Sequence, residues 1–381
     1  MVTRPEIDPI YKELAARFDV NPLYEDPANR QIFNAVPKIL RKQANLQQAR
    51  IVREMPGSAE NIAKKLGLDL KVVEEDIQDL FNKGLVAPTK HGWNMPSNFG
   101  FMQDMMGSAS PKYVDDELQS LFRELFAELD VRKIQRHEIL GEKFVYPPMC
   151  RVVPKWRTIK DIPGILTCED TRQIFKKSQQ IVIINCPCKA LSERTEECKE
   201  NVPLESCIVG GSVARYQLKR GTGRELSYDE CMEYLDRVDK QQIVQTAGND
   251  NSQNLISYGV CNCHPCCCLY FVRDRFNKSH INPNLSLFAP SRYCAETNPA
   301  KCTACRKCID KRCPFGAITM QYYPEYEGVR AHVNEDKCMG CGLCVLTCPS
   351  NAKRMKVVRP PDFIPNFRPP EPGVVNEFIN I

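Results

Sequence analysis

Eight cysteines between Lys301 and Pro349 stand in two runs of regular spacing. The second run reads Cys338, Cys341, Cys344, Cys348 and then Pro349. The first reads Cys302, Cys305, Cys308, Cys313 and then Pro314, with one extra residue before its last cysteine. Cysteines two residues apart on a closed loop point three thiolates at the corners of one iron-sulfide cube, and a fourth followed by proline leaves the loop and reaches another cube. Structural zinc is the competing chemistry, but zinc takes four ligands and has no use for a triple followed by a single.

The C-x2-C-x2-C-x3-C-P order resembles the bacterial-type two-cluster 4Fe-4S ferredoxin family over about 50 of the 381 residues. The likeness extends to Gly316-Ala317-Ile318 and Gly340-Cys341-Gly342. The spacing implies two 4Fe-4S clusters with exchanged ligands: Cys302, Cys305, Cys308 and Cys348 on one, and Cys338, Cys341, Cys344 and Cys313 on the other. The extra residue before Cys313 departs from the family pattern.

A second set of cysteines lies upstream. The β-branched run Ile181-Val182-Ile183-Ile184 reads as a buried strand and delivers the chain to Asn185-Cys186-Pro187-Cys188, with Cys198 and Cys207 following. After a helix expected from Ser227 to Asp239 comes Cys261-Asn262-Cys263-His264-Pro265-Cys266-Cys267-Cys268, five cysteines in eight residues. The simplest account is a third centre, an iron-sulfur cluster or another metal, built from Cys186, Cys188, Cys198 and Cys207. Cys261, Cys263, Cys266, Cys267 and Cys268 then form a second or shared ligand set. Adjacent cysteines cannot easily all point inward, so some of Cys266 to Cys268 are spare or serve a different site, and one or two are open to a purely structural use.

Other uses fit less well. Cys263-His264-Pro265-Cys266 is a C-x-x-C dithiol without a clear βαβ signal after it, and Cys261-Asn262-Cys263-His264 is one residue short of haem attachment. Gly210-Gly211 and Gly221-Thr222-Gly223 suit turns better than a nucleotide loop. Taken with the C-terminal repeat, both groups resemble 4Fe-4S dicluster proteins of anaerobic microbes over most of residues 145–350, a likeness that brings no defined activity.

The fold class expected is α+β and multidomain, since this length suits roughly two to four domains. Residues 1–57, broken by Pro5, Pro9, Pro22, Pro27 and Pro37, read as an extended arm and one helix. Residues 58–143 read as a winged-helix-like helical docking domain. Its first helix runs from Ser58 to Gly67. Asp69 caps a second, with Val72, Val73, Ile77, Leu80 and Phe81 on one face and Gly84 at its end. Met95, Met102, Met105 and Met106 suit an irregular core or an adaptable surface, and residues 115–129 form an amphipathic helix. A Cys-rich α/β middle domain spans 144–293, with a helix over 169–179. The two-cluster ferredoxin-type domain spans 294–357, and a Pro-rich extended tail spans 358–381, suited to strapping this chain or a partner subunit.

Composition narrows the setting. Twenty-one cysteines would suggest disulfides in an oxidising compartment, but Met1-Val2-Thr3-Arg4-Pro5-Glu6 is not followed by an apolar run, so a cytoplasmic and low-oxygen location is expected. No window approaches the roughly eighteen apolar residues of a membrane span. The net charge of +5 does not by itself point to nucleic acid. Locally, Lys301, Arg306, Lys307, Lys311 and Arg312 stand against Asp310 alone, either steering an acidic redox partner or neutralising the cluster.

These observations lead to an iron-sulfur electron-transfer protein that relays single electrons to or from a larger oxidoreductase, through two clusters and a further metal centre in the middle domain. No Ser/His/Asp set, Rossmann fingerprint or paired carboxylate is present. One alternative is a reductase whose active centre lies in the middle domain. Another is a redox-sensing regulator that binds DNA, against which the second winged-helix helix carries Glu74, Glu75, Asp76 and Asp79 but only Lys71 and Lys83.

Overall fold

A computed structural model describes residues 7–18, 33–96, 99–143, 148, 150–178, 180–192, 202–249, 259–271, 286–310 and 312–365. The N-terminal third is helical: α1 (Pro9–Ala15), α2 (Ala35–Gln43), α3 (Leu46–Arg53), α4 (Ala59–Leu66) and α5 (Leu70–Lys83) lead to a hairpin of β1 (Ala87–Thr89) and β2 (Gly92–Asn94). Where an arm and one helix were expected, the described residues before 58 form three helices. Pro9 begins α1 and Pro37 lies in the first turn of α2, where a missing N–H costs no intrahelical bond.

The helix-turn-helix and hairpin of residues 58–94 follow from their caps. Ser58 accepts from Asn61 N–H, Asp69 from Lys71 N–H, and Gly67 and Gly84 end the helices in the left-handed conformation. Gly84 is obligatory for a second reason: a Cβ there would lie 2.3 Å from the Met105 carbonyl. Val73, Ile77, Leu80 and Phe81 of α5 are buried, whereas Val72, expected on the same face, is exposed. Its position one residue off the 3.6-residue repeat turns it to solvent. Asp76 and Asp79 accept hydrogen bonds from Gln47 and Gln48 of α3, so half the acids of α5 serve packing between helices.

Next come α6 (Phe99–Gly107) and α7 (Asp116–Leu140), the latter extending well beyond the expected residue 129. Met95, Met102, Met105 and Met106 are all buried, which makes the Met-rich stretch core.

The middle of the chain contributes β3 (Cys150–Val153), α8 (Thr171–Lys176), β4 (Ile181–Asn185), α9 (Pro187–Ala190), β5 (Glu205–Val209), α10 (Gly211–Arg220), β6 (Gly223–Leu226), α11 (Tyr228–Val238), β7 (Val244–Gly248), β8 (Val260–Cys263) and β9 (Phe288–Ala289). Its seven-stranded sheet has the order β6-β4-β5-β8-β7-β3-β9. An α/β arrangement was expected, but every pairing is antiparallel except β3 with β9. The hydrophobic runs are long because both faces are covered. Ile181, Ile183, Ile208 and Val260 pack with α8 and α11 on one face. Val182, Ile184, Cys207 and Cys263 lie on the other, in one core with the N-terminal helices.

Strands β10 (Tyr293–Thr297) and β13 (Lys353–Val357) pair antiparallel and bracket the last part of the fold. Between them lie the hairpin of β11 (Ile318–Tyr323) and β12 (Gly328–Val333) and the short helix α12 (Leu343–Thr347). Of the Pro-rich tail, the described portion ends with Ile364 buried beside Val153, Cys168 and Ala247 of the middle part; residues 366–381 lie outside the described residues. Among the described residues, no helix is long and apolar enough to cross a membrane.

Candidate metal centres

The C-terminal cysteines line two small cavities. Cys302, Cys305, Cys308 and Cys348 surround the first, and Cys313, Cys338, Cys341 and Cys344 the second. Each triplet is therefore joined by the last cysteine of the other run. The extra residue before Cys313 does not take its side chain out of reach.

The two loops share a backbone pattern. Ala304 and Arg306 have φ of 55° and 61°, and Gly340 and Gly342, at the equivalent steps between cysteines, have φ of 69° and 81°. Left-handed steps at these points turn successive thiols to one side. The surroundings explain why only the second loop uses glycine: a Cβ on Gly340 would lie 2.1 Å from both Ser291 Oγ and the Tyr293 carbonyl oxygen, and one on Gly342 2.5 Å from Thr158 Oγ1, whereas their counterparts Ala304 and Arg306 are half-buried and exposed.

Sulfur atoms at the rims are met by backbone donors. Ala331 N–H donates to Cys302 Sγ at 3.5 Å, Ala352 N–H to Cys348 Sγ at 3.2 Å, and Ala317 N–H to Cys313 Sγ at 3.3 Å. Such donors orient a ligand sulfur and raise a cluster's potential. Burial pushes the Cys341 thiol up to about 12 and raises Cys308, Cys313 and Cys344. Burial also opposes the Cys348 thiolate, but donors from Ser350, Ala352 and Lys353 outweigh it and lower its pKa. Cys338 is pulled down to about 6, first by Cys294, a buried thiol that hydrogen-bonds it, and then by Ala295 and Gly340 N–H groups against its burial. Eight thiols in two sets of four, with sulfur-directed N–H groups, fit the donor set of two 4Fe-4S clusters.

The cavities differ in setting. Cys305 of the first is exposed, with Lys301, Arg306 and Lys307 exposed beside it. Cys338, Cys341 and Cys344 of the second are buried. Arg312, expected among the surface cations, lines the second cavity and donates to the Gln241 and Lys240 carbonyls at 2.6 Å each. It anchors the loop to the middle part of the chain and leaves the surface patch to the other cations. Lys311 lies outside the described residues.

The upstream cysteines gather in a different way from the expected set. Cys186 lies beside Cys188 and Cys207, Cys207 beside Cys261, Cys261 beside Cys263, Cys263 beside Cys268, and Cys268 beside Cys188. Six thiols close a ring. Strand geometry accounts for half of it: Cys207 and Cys261 are direct partners of β5 and β8, and Cys263, two residues on, shares their face.

Donors surround this ring too. Gln103 Nε2 donates to Cys188 Sγ at 3.1 Å, and Thr246 Oγ1 lies 3.5 Å from Cys263 Sγ. Hydrogen bonds from Cys188 and Cys207, helped by the Lys189 charge, hold the Cys186 thiol well below its usual range, and Cys207 and Cys263 draw Cys261 down to about 7. The same bonds, followed by burial, hold Cys188 and Cys207 well above the usual range. Cys266 and Cys267 group with His264, their ligand atoms all within 4.8 Å of one another. Cys198 lies outside the described residues. Gln103, Thr246 and Cys294 carried no spacing signal that would single them out, and His264 stood in the sequence only within dithiol and haem-type spacings that fit poorly. Among the described residues, a larger cleft lined by Gly107, Arg123 and Lys189 has no cysteine in its wall.

Residues 301–352 match the family model described as a 4Fe-4S dicluster domain, so this part of the chain is an iron-sulfur cluster-binding domain. A stretch of 55 residues is 36% identical to one subunit of an ion-translocating oxidoreductase complex from Methanosarcina acetivorans, covering 14% of this chain and 18% of that protein. The chain thus spans less than a fifth of that relative's length. No solved structure matches the chain.

Proposed function

We propose that this protein is an iron-sulfur electron-transfer protein acting beside the subunits of a larger oxidoreductase. Cys302, Cys305, Cys308 and Cys348 hold one 4Fe-4S cluster; Cys313, Cys338, Cys341 and Cys344 hold the other; and a further metal centre lies among the middle cysteines. The observation that carries this reading is the sorting of eight thiols into two cavities of four, each drawing on both runs. When bound, the clusters supply one-electron chemistry; the chain sets their spacing, burial and charge.

The relay has a direction of contact. The first cluster, beside exposed Cys305 and its cations, meets an acidic redox partner, and the second faces the middle part of the chain through Arg312. The relative's place in an oxidoreductase complex supports subunit neighbours for this chain. The acidic second helix of the winged-helix-like region suits protein docking better than DNA.

Anaerobic purification followed by iron and acid-labile sulfide analysis, with EPR of the reduced protein, tests this. Residues 301–352 are expected to account for about eight irons per chain in two one-electron centres. A chain with four or fewer irons in total would refute the two-cluster assignment.

A further inference from the structure

Six thiols from five separate parts of the chain converge on one place. Cys186 follows β4, Cys188 lies in α9, Cys207 in β5, Cys261 and Cys263 in β8, and Cys268 beyond the turn after β8. Five of the six are buried and Cys261 is half-buried. A lone buried thiol behaves as a small apolar side chain. Six that face one another do not, because they leave sulfur where branched carbon would pack better.

The groups around the ring are those a sulfur ligand needs. Gln103, itself 3% exposed, aims its amide N–H at Cys188 Sγ, and the Thr246 hydroxyl meets Cys263 Sγ. Lys189, buried and 2.6 Å from Ser206 Oγ, adds a cation. One lysine does not balance several thiolates in a buried site; a cationic metal core does. A single zinc ion would engage only four of the six sulfurs.

We propose that this ring holds a polynuclear iron-sulfur centre ligated by thiolates from Cys186, Cys188, Cys207, Cys261, Cys263 and Cys268, with Gln103 and Thr246 donating to ligand sulfur. This deepens the reading of a middle-domain metal centre and rests on it. It replaces the expected quartet that included Cys198. On loading, each thiol that binds iron releases its proton to solvent, and no electron is exchanged in that step.

The test counts iron, zinc and acid-labile sulfide in full-length, anaerobically purified protein. Three samples are compared: the natural sequence, Cys207→Ser/Cys263→Ser/Cys268→Ser, and Cys302→Ser/Cys308→Ser/Cys341→Ser/Cys344→Ser. The ring variant is expected to lose about a third or more of the iron and keep about eight irons from residues 301–352. The second variant is expected to keep the ring's iron. A ring variant with undiminished iron, a loss confined to zinc, or an iron-free second variant would overturn the proposal. Should the ring variant not fold, Gln103→Leu decides. It is expected to keep the full iron count while shifting one EPR signal of the reduced protein, and an unshifted spectrum counts against the ring. Failure of the two-cluster reading has its own signature, a ring variant carrying no iron at all.

Discussion

Nζ of Lys155 lies 2.6 Å from Oδ1 of Asp239, with both side chains almost wholly withdrawn from solvent, and the backbone N–H of Lys155 donates to the Cys341 carbonyl at 3.1 Å. The residue that neutralises the end of α11 is thus also the one that holds the second cluster loop. Arg312 joins the same short stretch from the other side, since it donates to the Lys240 and Gln241 carbonyls that follow Asp239.

Asp239→Ala leaves the Lys155 ammonium buried without its counter-ion, and breaking such a pair from one side costs about 3–5 kcal/mol. Denaturant unfolding is expected to show a loss of that size. Lys155→Met with Asp239→Leu is expected to recover most of it, because apolar replacement of both partners removes the desolvation penalty. An equal loss in the double variant would contradict this account of the junction.

Ligand exchange makes opposite predictions for neighbouring cysteines. Cys344→Ala is expected to disable the cluster of the buried cavity, and Cys348→Ala, four residues away, the cluster of the exposed one. EPR of the two reduced variants distinguishes them. If both remove the same signal, each run holds its own cluster and the exchange is wrong.

Lys301, Arg306 and Lys307 are exposed around Cys305, and Arg306 pairs loosely with Asp310 at 3.4 Å. Changing all three to Glu is expected to slow reduction by a small acidic electron-carrier protein on the order of tenfold at low ionic strength. Near 1 M salt, where the screening length is about 3 Å, the difference is expected to vanish. Stopped-flow rates across a salt series read this directly. Rates that differ equally at all salt concentrations would point away from steering.

Gly340→Ala forces a methyl group into Ser291 Oγ and the Tyr293 carbonyl while also straining a left-handed backbone. A loss of more than about 2 kcal/mol and of the buried cluster is expected. Ala304→Gly at the equivalent, half-buried step removes strain instead, and a gain of roughly 1 kcal/mol is expected. Thermal unfolding of the two variants with iron bound measures both, and a stability loss in Ala304→Gly would refute the equivalence of the loops.

The sorting of the C-terminal cysteines into two cavities was legible in the sequence because the spacing within each run is short and local. So were the helix limits at Ser58, Gly67, Asp69, Gly84 and Ser227, where capping chemistry is local. The ring was legible only in part. Its members are brought together by the register of β5 on β8 and by the position of α9, which no spacing records. Cys261 and Cys263 read as a secondary set until strand pairing put Cys207 opposite Cys261. Arg312 read as a surface cation because its partners are main-chain carbonyls of a distant helix end.

The crossing of Cys313 and Cys348 between the two loops also fixes an order of manufacture. Synthesis runs from the N-terminus, and the last strand of the middle sheet ends at Ala289. The first cavity lacks its fourth wall until Cys348 has been made, and β10 has no partner until β13 follows it. On the ribosome, then, all six cysteines of the ring have been made before either terminal cavity has its full set of four. On the proposed reading, the ring's ligands are the first complete set that iron-delivering machinery would meet.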